Sequence, residues 1–180
     1  MTNPFKGFLE RRGAVVLDGG LATEIEARGL SLDHPLWSAR ALTDAPAIVA
    51  AAHRDYLDAG ADVIATATYQ ATAPELLLSG VALARRERDD FWGRRRPGGG
   101  RLRPLVAASI GSYGAFLANG AEYRGDYGLD VAALAAWHRA RLRVLESSGA
   151  DVLAFETIPS LPEAEAIAQL LGESLGPPAW

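Results

Sequence analysis

A six-residue pattern, Gly-Ala-Asp-Val-aliphatic-Ala, occurs twice in this 180-residue chain and constrains its fold more than any other feature. The two copies occupy residues 60–65 and 149–154. In each copy, a glycine suited to end a helix is followed at once by an apolar segment suited to a buried strand. A helix-to-strand connection that recurs in this way is typical of repeated βα units. The sequence therefore predicts a parallel sheet covered by helices.

Four apolar segments predict the strands of this sheet, and residues 176–180 have the pattern of an approach to a fifth. The predicted strands are residues 14–17, 61–68, 105–110 and 151–156. Helices are predicted at residues 21–28, 74–92, 130–148 and 160–171, and between a cap at Thr43 or Asp44 and the terminating Gly60. The stretch 36–42 is expected to pack over the end of the sheet.

Three local details accompany these predictions. Ser79-Gly80 is expected to interrupt the helix at 74–92, because glycine weakens a helix interior. Ser160 and Glu163 have the spacing of a capping box, in which the glutamate would return to the helix N-terminus. The segment 111–128 is expected to form a long loop without regular structure, and such loops are usually functional or disordered. Its three tyrosines argue against disorder.

Polar residues follow all four predicted strands at their C-terminal ends, in Asp18-Gly19-Gly20, 66–70, 109–113 and Glu156-Thr157. In parallel α/β proteins this edge binds ligands, and four such ends describe one mouth. The arrangement favours a (β/α)8-type barrel over a doubly wound sheet, and the first strand also lacks a dinucleotide-binding glycine fingerprint. A simpler interpretation of Asp18 alone, as a turn residue before glycine, stays open.

Composition excludes several classes of function. A net charge of −4 gives no electrostatic footprint for nucleic acid, and the basic run 94–96 is too short to change this. No segment predicts a membrane span or a signal peptide, so a single cytoplasmic domain over residues 1–180 is expected. Cysteine is absent, which removes disulfides, thiol nucleophiles and thiolate metal sites.

Four motifs in order along the chain resemble the strand-end motifs of the homocysteine S-methyltransferases, especially the members that use S-methylmethionine or S-adenosylmethionine. The motifs are Asp18–Glu24, Thr66–Thr72, Ala108–Gly114 with Glu122–Tyr127, and Phe155–Pro159. The resemblance implies a zinc-dependent (β/α)8 barrel that transfers a methyl group from a sulfonium donor to homocysteine, giving methionine. Zinc would hold the homocysteine thiol as the nucleophilic thiolate.

By this resemblance, Asp18 and Glu156 would hold the homocysteine ammonium, with Thr157 beside them. The backbone amides around Gly19 and Gly20 would receive its carboxylate. A sulfonium is a cation that aromatic faces bind, which makes the following residues candidates for the donor pocket. They are Thr68, Tyr69, Gln70, Tyr113 and Tyr127, with Tyr123 as a further wall. The alternative, that the tyrosines only close the top of the barrel, remains open.

The chain departs from the family pattern in its metal ligands. The family holds zinc with three cysteines, one at the end of a sixth strand and a pair near the last strand, whereas this sequence has none. Of its histidines, His34, His53 and His138, the last two fall within predicted helices, so no substitute set of ligands can be assembled. The segment 72–81 also looks shortened. We expect the N-terminal half of the barrel, truncated at the start of the fifth strand, without activity on its own.

Three hypotheses for function follow. The first is the substrate-binding half of a homocysteine S-methyltransferase, and the second is a non-catalytic remnant that at most binds an amino acid. An aldolase is disfavoured, because Lys6 is the only lysine and lies at no strand end. Open barrel edges would leave strands unpaired, so an unstable monomer or self-association through those edges is expected.

Overall fold

The computed structural model of this protein describes residues 3–33, 36–95 and 100–180. The elements, in chain order, are α1 (Lys6–Arg12), α2 (Leu21–Ala27), α3 (Ser38–Asp44), α4 (Pro46–Ala59), β1 (Val63–Ala65), α5 (Pro74–Gly93), β2 (Leu105–Gly111), α6 (Tyr113–Leu117), a 3-10 helix (Ala121–Tyr123), α7 (Val131–Glu146), β3 (Val152–Glu156) and α8 (Leu161–Glu173). His34 lies outside the described residues, and so does Arg96, the last residue of the basic run. None of the described helices has both the length and the apolar character needed to cross a bilayer.

The three strands form one parallel sheet in the order β1-β2-β3. Parallel pairing covers three residues between β1 and β2 and five between β2 and β3. Single parallel bridges extend the sheet on both sides, from Leu17 to Val63 and from Leu153 to Ala179. The predicted parallel α/β sheet is therefore confirmed, including the approach to a fifth strand near the end of the chain.

The first glycine of the repeated pattern caps its helix as predicted, whereas α7 ends at Glu146 with Ser147 at its C-cap. Gly60 caps α4 with a φ of 117°, and Gly149 follows α7 with a φ of 82°. Both lie in the left-handed region, where a residue with a side chain would be strained. The chain can therefore turn directly from each helix into the next strand.

The aspartates of the repeated pattern join neighbouring strand segments at the start of the sheet. Asp62 is fully buried, pairs with Arg12, and accepts a hydrogen bond from the amide of Val16 at 3.0 Å. Asp151 accepts a hydrogen bond from the amide of Val106 at 2.8 Å in the same way. Each carboxylate thus accepts a hydrogen bond from the backbone of the strand segment that precedes its own strand in the sequence. The recurring motif fixes strand register as well as direction.

The first predicted strand is much weaker than expected. The sequence predicts a buried strand at residues 14–17, but only Leu17 forms a bridge, and the side chains of Val16 and Leu17 are 46% and 52% exposed. Within the described residues this segment pairs on one side only, with β1. Its apolar side chains therefore lie at an open edge of the sheet.

The predicted cap of α4 is wrong. Thr43 and Asp44 belong to α3, which covers most of the stretch expected to pack over the sheet. Ala45 precedes α4 and makes no side-chain cap, while Pro46 occupies the first helical turn. Two helices follow each other directly here, so the threonine and aspartate form the last turn of one helix rather than the start of the next.

The predicted capping box is also wrong. Ser160 precedes α8 but accepts no hydrogen bond at the helix N-terminus. Glu163 instead turns inward and is fully buried, where Oε1 accepts a hydrogen bond from the Tyr113 amide at 2.5 Å and lies 2.9 Å from His138 Nε2. Arg141 Nη2 lies 3.0 Å from the other ring nitrogen of His138. A long-range buried network replaces the local cap that the spacing predicts.

Two further expectations about continuity are corrected. Ser79-Gly80 does not interrupt α5, which runs unbroken for 20 residues. Gly80 faces Thr68 so closely that an added Cβ would lie 2.4 Å from the threonine methyl carbon. The glycine therefore serves close packing of helix on strand end rather than a break. The segment 111–128 is not wholly irregular either, since it contains α6 and the 3-10 helix.

The main apolar core lies between the sheet and the later helices. Leu134 and Leu145 of α7, Leu153 of β3 and Leu170 of α8 are almost fully buried in one cluster. Each such leucine stabilises the fold by about 1.5–3 kcal/mol through removal of its side chain from water. The covered faces of the sheet leave the C-terminal strand ends as the region open to ligands.

The close approach of Gly80 to Thr68 predicts a position-specific cost. Gly80→Ala should lower the free energy of unfolding by about 1–3 kcal/mol, because the new methyl group overlaps Thr68. Gly93→Ala, in the same helix with no atom within 4 Å of the added Cβ, should be neutral or slightly stabilising. Urea denaturation of both variants would measure this. Equal stabilities would contradict the packing described.

Candidate substrate-binding site

A cavity of about 530 Å³ opens at the C-terminal ends of the strands. It brings together residues from the ends of four strand segments that are far apart in sequence. The predicted substrate-binding residues that line it are Asp18, Gly19, Gly20, Glu156 and Thr157. Also in the lining are Leu17, Leu21, Ala22, Thr23, Trp37, Ser38, Ala65, Thr66, Tyr69, Ser109 and Tyr123. The structure thus places every predicted substrate-binding residue at one mouth.

Asp18 is held by the neighbouring strand. Its Oδ2 accepts a hydrogen bond from the amide of Ala65 at 2.7 Å, at the end of β1. Burial raises the pKa of the Asp18 carboxyl to about 7, and the nearby Glu156 carboxylate adds to the rise, while the Ala65 hydrogen bond opposes it. Asp18 is therefore a half-buried carboxyl that gains from a cation beside it.

Glu156 supplies the second carboxylate of the mouth. Its Oε2 accepts a hydrogen bond from Ser109 Oγ at 2.9 Å across β2 and β3. Burial raises the pKa of the Glu156 carboxyl, and the Ser109 hydroxyl acts in the opposite direction. No arginine or lysine side chain is found among the described lining residues. Two acidic groups thus converge without a cation from the protein, as an ammonium-binding site requires.

Gly19 and Gly20 leave their backbone exposed at the mouth. An added Cβ at Gly19 would lie 2.9 Å from the Tyr56 hydroxyl oxygen, so a side chain there has no room. Gly20 precedes α2 with extended backbone angles. The two residues therefore form a bare stretch of backbone that a ligand carboxylate could approach closely.

Thr157 and Tyr69 also line the mouth cavity. Thr157 has a φ of 54°, a left-handed conformation that is uncommon for a β-branched residue and typical of functional sites. Burial raises the pKa of Tyr69, with a hydrogen bond from the Thr157 side chain acting against the rise. The Tyr69 ring also contacts Trp37 edge-on, with 5.9 Å between the ring centroids.

The predicted donor-pocket residues are not all brought to this mouth. Tyr69 lines it, as does Tyr123, whereas Gln70 lines a second cavity beside it. Thr68 is fully buried and donates a hydrogen bond to the Ser109 carbonyl oxygen at 2.7 Å, so it ties strand ends together.

The remaining two candidates, Tyr113 and Tyr127, belong to an aromatic cluster with Trp137 and Phe116 rather than to the described cavity lining. The centroids of the two tyrosine rings are 5.4 Å apart. This ring packing favours the alternative interpretation, in which the tyrosines close the top of the fold.

Sequence reasoning assigned no role to Trp37, which lines both cavities. It has a φ of 43°, and it precedes α3. The apolar pattern at residues 36–42 predicts that these residues are buried. It does not predict in which direction the Trp37 side chain points. Glu122 belongs to the motif at residues 122–127, which assigns it no role, and it lines the second cavity.

The described residues do not form a metal site. No group of three or more histidine, aspartate or glutamate side chains among residues 3–33, 36–95 and 100–180 is placed to hold a metal ion. His53 is buried within α4, where burial lowers its pKa to about 4. His138 Nε2 is hydrogen-bonded to Glu163 Oε1. Neither His53 nor His138 occurs in the described lining of the mouth cavity.

Comparisons with known proteins agree on one family. The family model for homocysteine S-methyltransferase matches residues 15–180. Homocysteine S-methyltransferase YbgG of Bacillus subtilis is 43% identical over 99% of this chain and 61% of its own length. Homocysteine S-methyltransferase 1 of Zea mays is 47% identical over 93% of this chain and 58% of its own. The chain therefore spans about three fifths of the length of these curated relatives.

A solved structure gives the same answer at the level of fold. The metallated form of the homocysteine methyltransferase MmuM from Escherichia coli superposes with a TM-score of 0.90 at 41% identity. The match covers 99% of this chain and 65% of that chain. The parallel sheet and its helices thus correspond to part of a known methyltransferase fold.

The raised pKa of Asp18 predicts a pH-dependent effect on stability. A carboxyl whose pKa rises on folding contributes stability that is complete below about pH 4 and is lost as the pH rises through about 7. Asp18→Asn keeps an acceptor for the Ala65 amide but cannot ionise. Relative to the unmodified protein, it should gain on the order of 1–3 kcal/mol between about pH 4 and pH 8.

Urea unfolding across this pH range would measure the gain. Asp58→Asn, at an exposed position of α4, is the matched control. A difference that does not grow with pH would contradict the environment described for Asp18.

Proposed function

The chain belongs to the homocysteine S-methyltransferase family, and we propose that it forms the homocysteine-binding part of such an enzyme. In this proposal the parallel sheet is the first part of a (β/α)8 barrel, and the mouth cavity receives the methyl acceptor. The reaction of the whole enzyme would transfer a methyl group from S-methylmethionine or S-adenosylmethionine to homocysteine and give methionine.

The observation that carries the proposal is the pair of carboxylates at the mouth. Asp18 and Glu156 converge in a half-buried cavity whose described lining contains no arginine or lysine. An α-ammonium group between them would supply the missing positive charge and donate hydrogen bonds to both. The exposed backbone at Gly19 and Gly20 would receive the α-carboxylate, and Thr157 would close the rim. Together these groups fit an amino acid.

The chemistry of methyl transfer suits such a cavity. The thiolate sulfur of homocysteine forms a bond to the methyl carbon, and the sulfonium sulfur keeps the electron pair of the bond that breaks. One anion and one cation become two neutral thioethers, so a site that excludes water favours the step. The rings of Tyr69 and Tyr123 would stabilise the sulfonium cation of the donor. Tyr113 and Tyr127 remain predictions with less support, because their rings pack in the aromatic cluster.

The residues described in this chain do not fit the zinc that the family resemblance implies. They contain no set of three convergent ligands, and the sequence contains no cysteine. A second candidate function is an amino-acid-binding module without turnover. Both candidates use Asp18 and Glu156, and they differ in whether this chain alone forms methionine.

Binding of the acceptor tests the site directly. Glu156→Gln should weaken binding of L-homocysteine about tenfold or more, because it removes one charge from the ammonium site while keeping an oxygen for Ser109. Isothermal titration calorimetry would measure the dissociation constant. Glu165→Gln, exposed on α8, is the matched control and should leave it unchanged. An unaltered affinity in Glu156→Gln would remove this residue from the site.

Turnover separates the two candidates. Methionine formation from homocysteine and S-methylmethionine would be measured with added zinc for two proteins, the 180-residue chain and a chimera that continues it with the C-terminal part of the Bacillus subtilis relative. We expect activity only in the chimera, because a catalytic zinc site needs three protein ligands. Activity of the short chain would refute the ligand argument. Inactivity of a chimera that still binds homocysteine would favour the binding module.

A further inference from the structure

Two threonine hydroxyl groups continue the pairing of β1 with β2 beyond the point where β1 ends. The backbone ladder reaches Ala65, and the Thr66 amide then donates to the Ala107 carbonyl oxygen at 2.9 Å. Beyond this bond, the Ser109 amide donates to Thr66 Oγ1 at 3.0 Å, and Thr68 Oγ1 donates to the Ser109 carbonyl oxygen at 2.7 Å. Side-chain hydroxyls therefore hold both backbone polar groups of Ser109.

The direction of each hydrogen bond in this arrangement is determined. Thr66 Oγ1 and Thr68 Oγ1 lie 2.6 Å apart, and each hydroxyl has a single proton to donate. Because the Thr68 proton goes to the Ser109 carbonyl oxygen, Thr66 is the donor between the two threonines. The three residues thus form a closed hydroxyl ring, and each of them is at most 3% exposed. Water therefore does not compete for these bonds.

The side-chain hydroxyl of Ser109 is not part of this ring. It donates to Glu156 Oε2 at 2.9 Å, across the gap between β2 and β3. The ring and the pairing of Ser109 with Ala154 in the sheet fix the Ser109 backbone. Only rotation about one side-chain bond then decides where its hydroxyl points. The donor that binds Glu156 is therefore held in place before any ligand arrives.

The other oxygen of the same carboxylate faces no protein donor. Glu156 is part-buried and lines the mouth cavity, and Oε1 accepts no hydrogen bond within the part of the chain that the structure describes. A carboxylate that is bound through one oxygen has its orientation fixed, while the lone pairs of the second oxygen stay available. A ligand donor in the cavity would therefore bind Oε1.

We propose, building on the function proposed above, that Ser109 is a positioning residue for the homocysteine site. Its hydroxyl group holds Oε2 of Glu156, and Oε1 is left to accept a hydrogen bond from the substrate ammonium. The hydroxyl ring of Thr66 and Thr68 holds Ser109 in turn. Ser109 acts through Glu156 and makes no contact with the sulfur atoms that react.

The same hydrogen bond favours the charged form of Glu156. Burial raises the pKa of the Glu156 carboxyl, and the Ser109 hydroxyl acts against this rise. The other titratable side chains in the described cavity lining are Asp18, Tyr69 and Tyr123. Glu156 adds to the raised pKa of Asp18, and burial raises the pKa of Tyr69 above its usual value. Without the Ser109 hydroxyl, the coupled pair of acids should lose its protons at higher pH.

Titration of Glu156 in the ligand-free 180-residue chain tests the first step. The carboxyl NMR signal of isotope-labelled glutamate would be followed with pH and assigned through Glu156→Gln. Ser109→Ala should raise the Glu156 midpoint by about one pH unit, because the charged carboxylate loses a hydrogen bond. Ser79→Ala, exposed on α5, is the matched control and should leave the midpoint unchanged. An unchanged midpoint in Ser109→Ala would overturn the proposal.

A pair of variants at position 68 tests the hydroxyl ring. Thr68→Val keeps the shape of the side chain but removes its hydroxyl, so it should raise the Glu156 midpoint by a smaller amount than Ser109→Ala. Thr68→Ser keeps the hydroxyl and should retain the original midpoint. Thermal unfolding would verify that both variants fold. Equal midpoints in the two variants would overturn the part of the proposal that concerns the ring.

The pH profile of ligand binding separates positioning from a general structural defect. L-methionine is the probe, because it has the α-amino acid group of homocysteine and no thiol that titrates. Ser109→Ala should weaken its calorimetric binding about tenfold near pH 6 and less than about threefold near pH 8, where Glu156 is charged in either protein. A loss by the same factor at both pH values would overturn the positioning role.

The two readouts also separate this inference from the proposed function. Failure of homocysteine and methionine to bind, together with a raised Glu156 midpoint in Ser109→Ala, would refute the function and support the effect of Ser109 on Glu156. Binding of both amino acids with an unchanged midpoint would support the function and refute the inference.

Discussion

Hydrogen bonds from backbone amides to aspartate carboxylates on a neighbouring strand segment are the interaction on which this structure depends. Asp62 and Asp151 make them at the start of the sheet, and Asp18 makes one at the end where ligands bind. Parallel strands joined through helices have no tight turn to set their register. These carboxylates supply that constraint, and they determine which side chains reach the mouth.

Asp18 combines this structural bond with a place in the ligand site. Its carboxylate accepts a hydrogen bond from the Ala65 amide, while burial and the nearby Glu156 carboxylate both raise its pKa. The fold therefore maintains an unfavourable charge arrangement that a cationic ligand relieves. Such pre-organised strain is common where binding rather than stability has determined the residue type.

The sequence predicted those parts that depend on local pattern, and it missed those that depend on distant contacts. The parallel sheet, the helix-ending Gly60 and the convergence of Asp18 with Glu156 follow from periodicity and strand ends. Glu163 was assigned to a local cap because its spacing fits one, yet its partners lie on α7 and before α6. The orientation of Trp37 depends on a backbone conformation that no residue type nearby signals.

Gly80 and Thr68 have a consequence for how this fold can vary among related sequences. The threonine hydroxyl bonds Thr66 and the Ser109 carbonyl group, while only its methyl group faces the glycine. Serine at position 68 would keep the hydroxyl and remove the closest obstacle, which leaves the end of the Leu42 side chain at 3.2 Å from the added Cβ. The two positions should therefore covary, so that a larger residue at position 80 is accompanied by serine at position 68. They lie on different elements, and the coupling between them is purely steric.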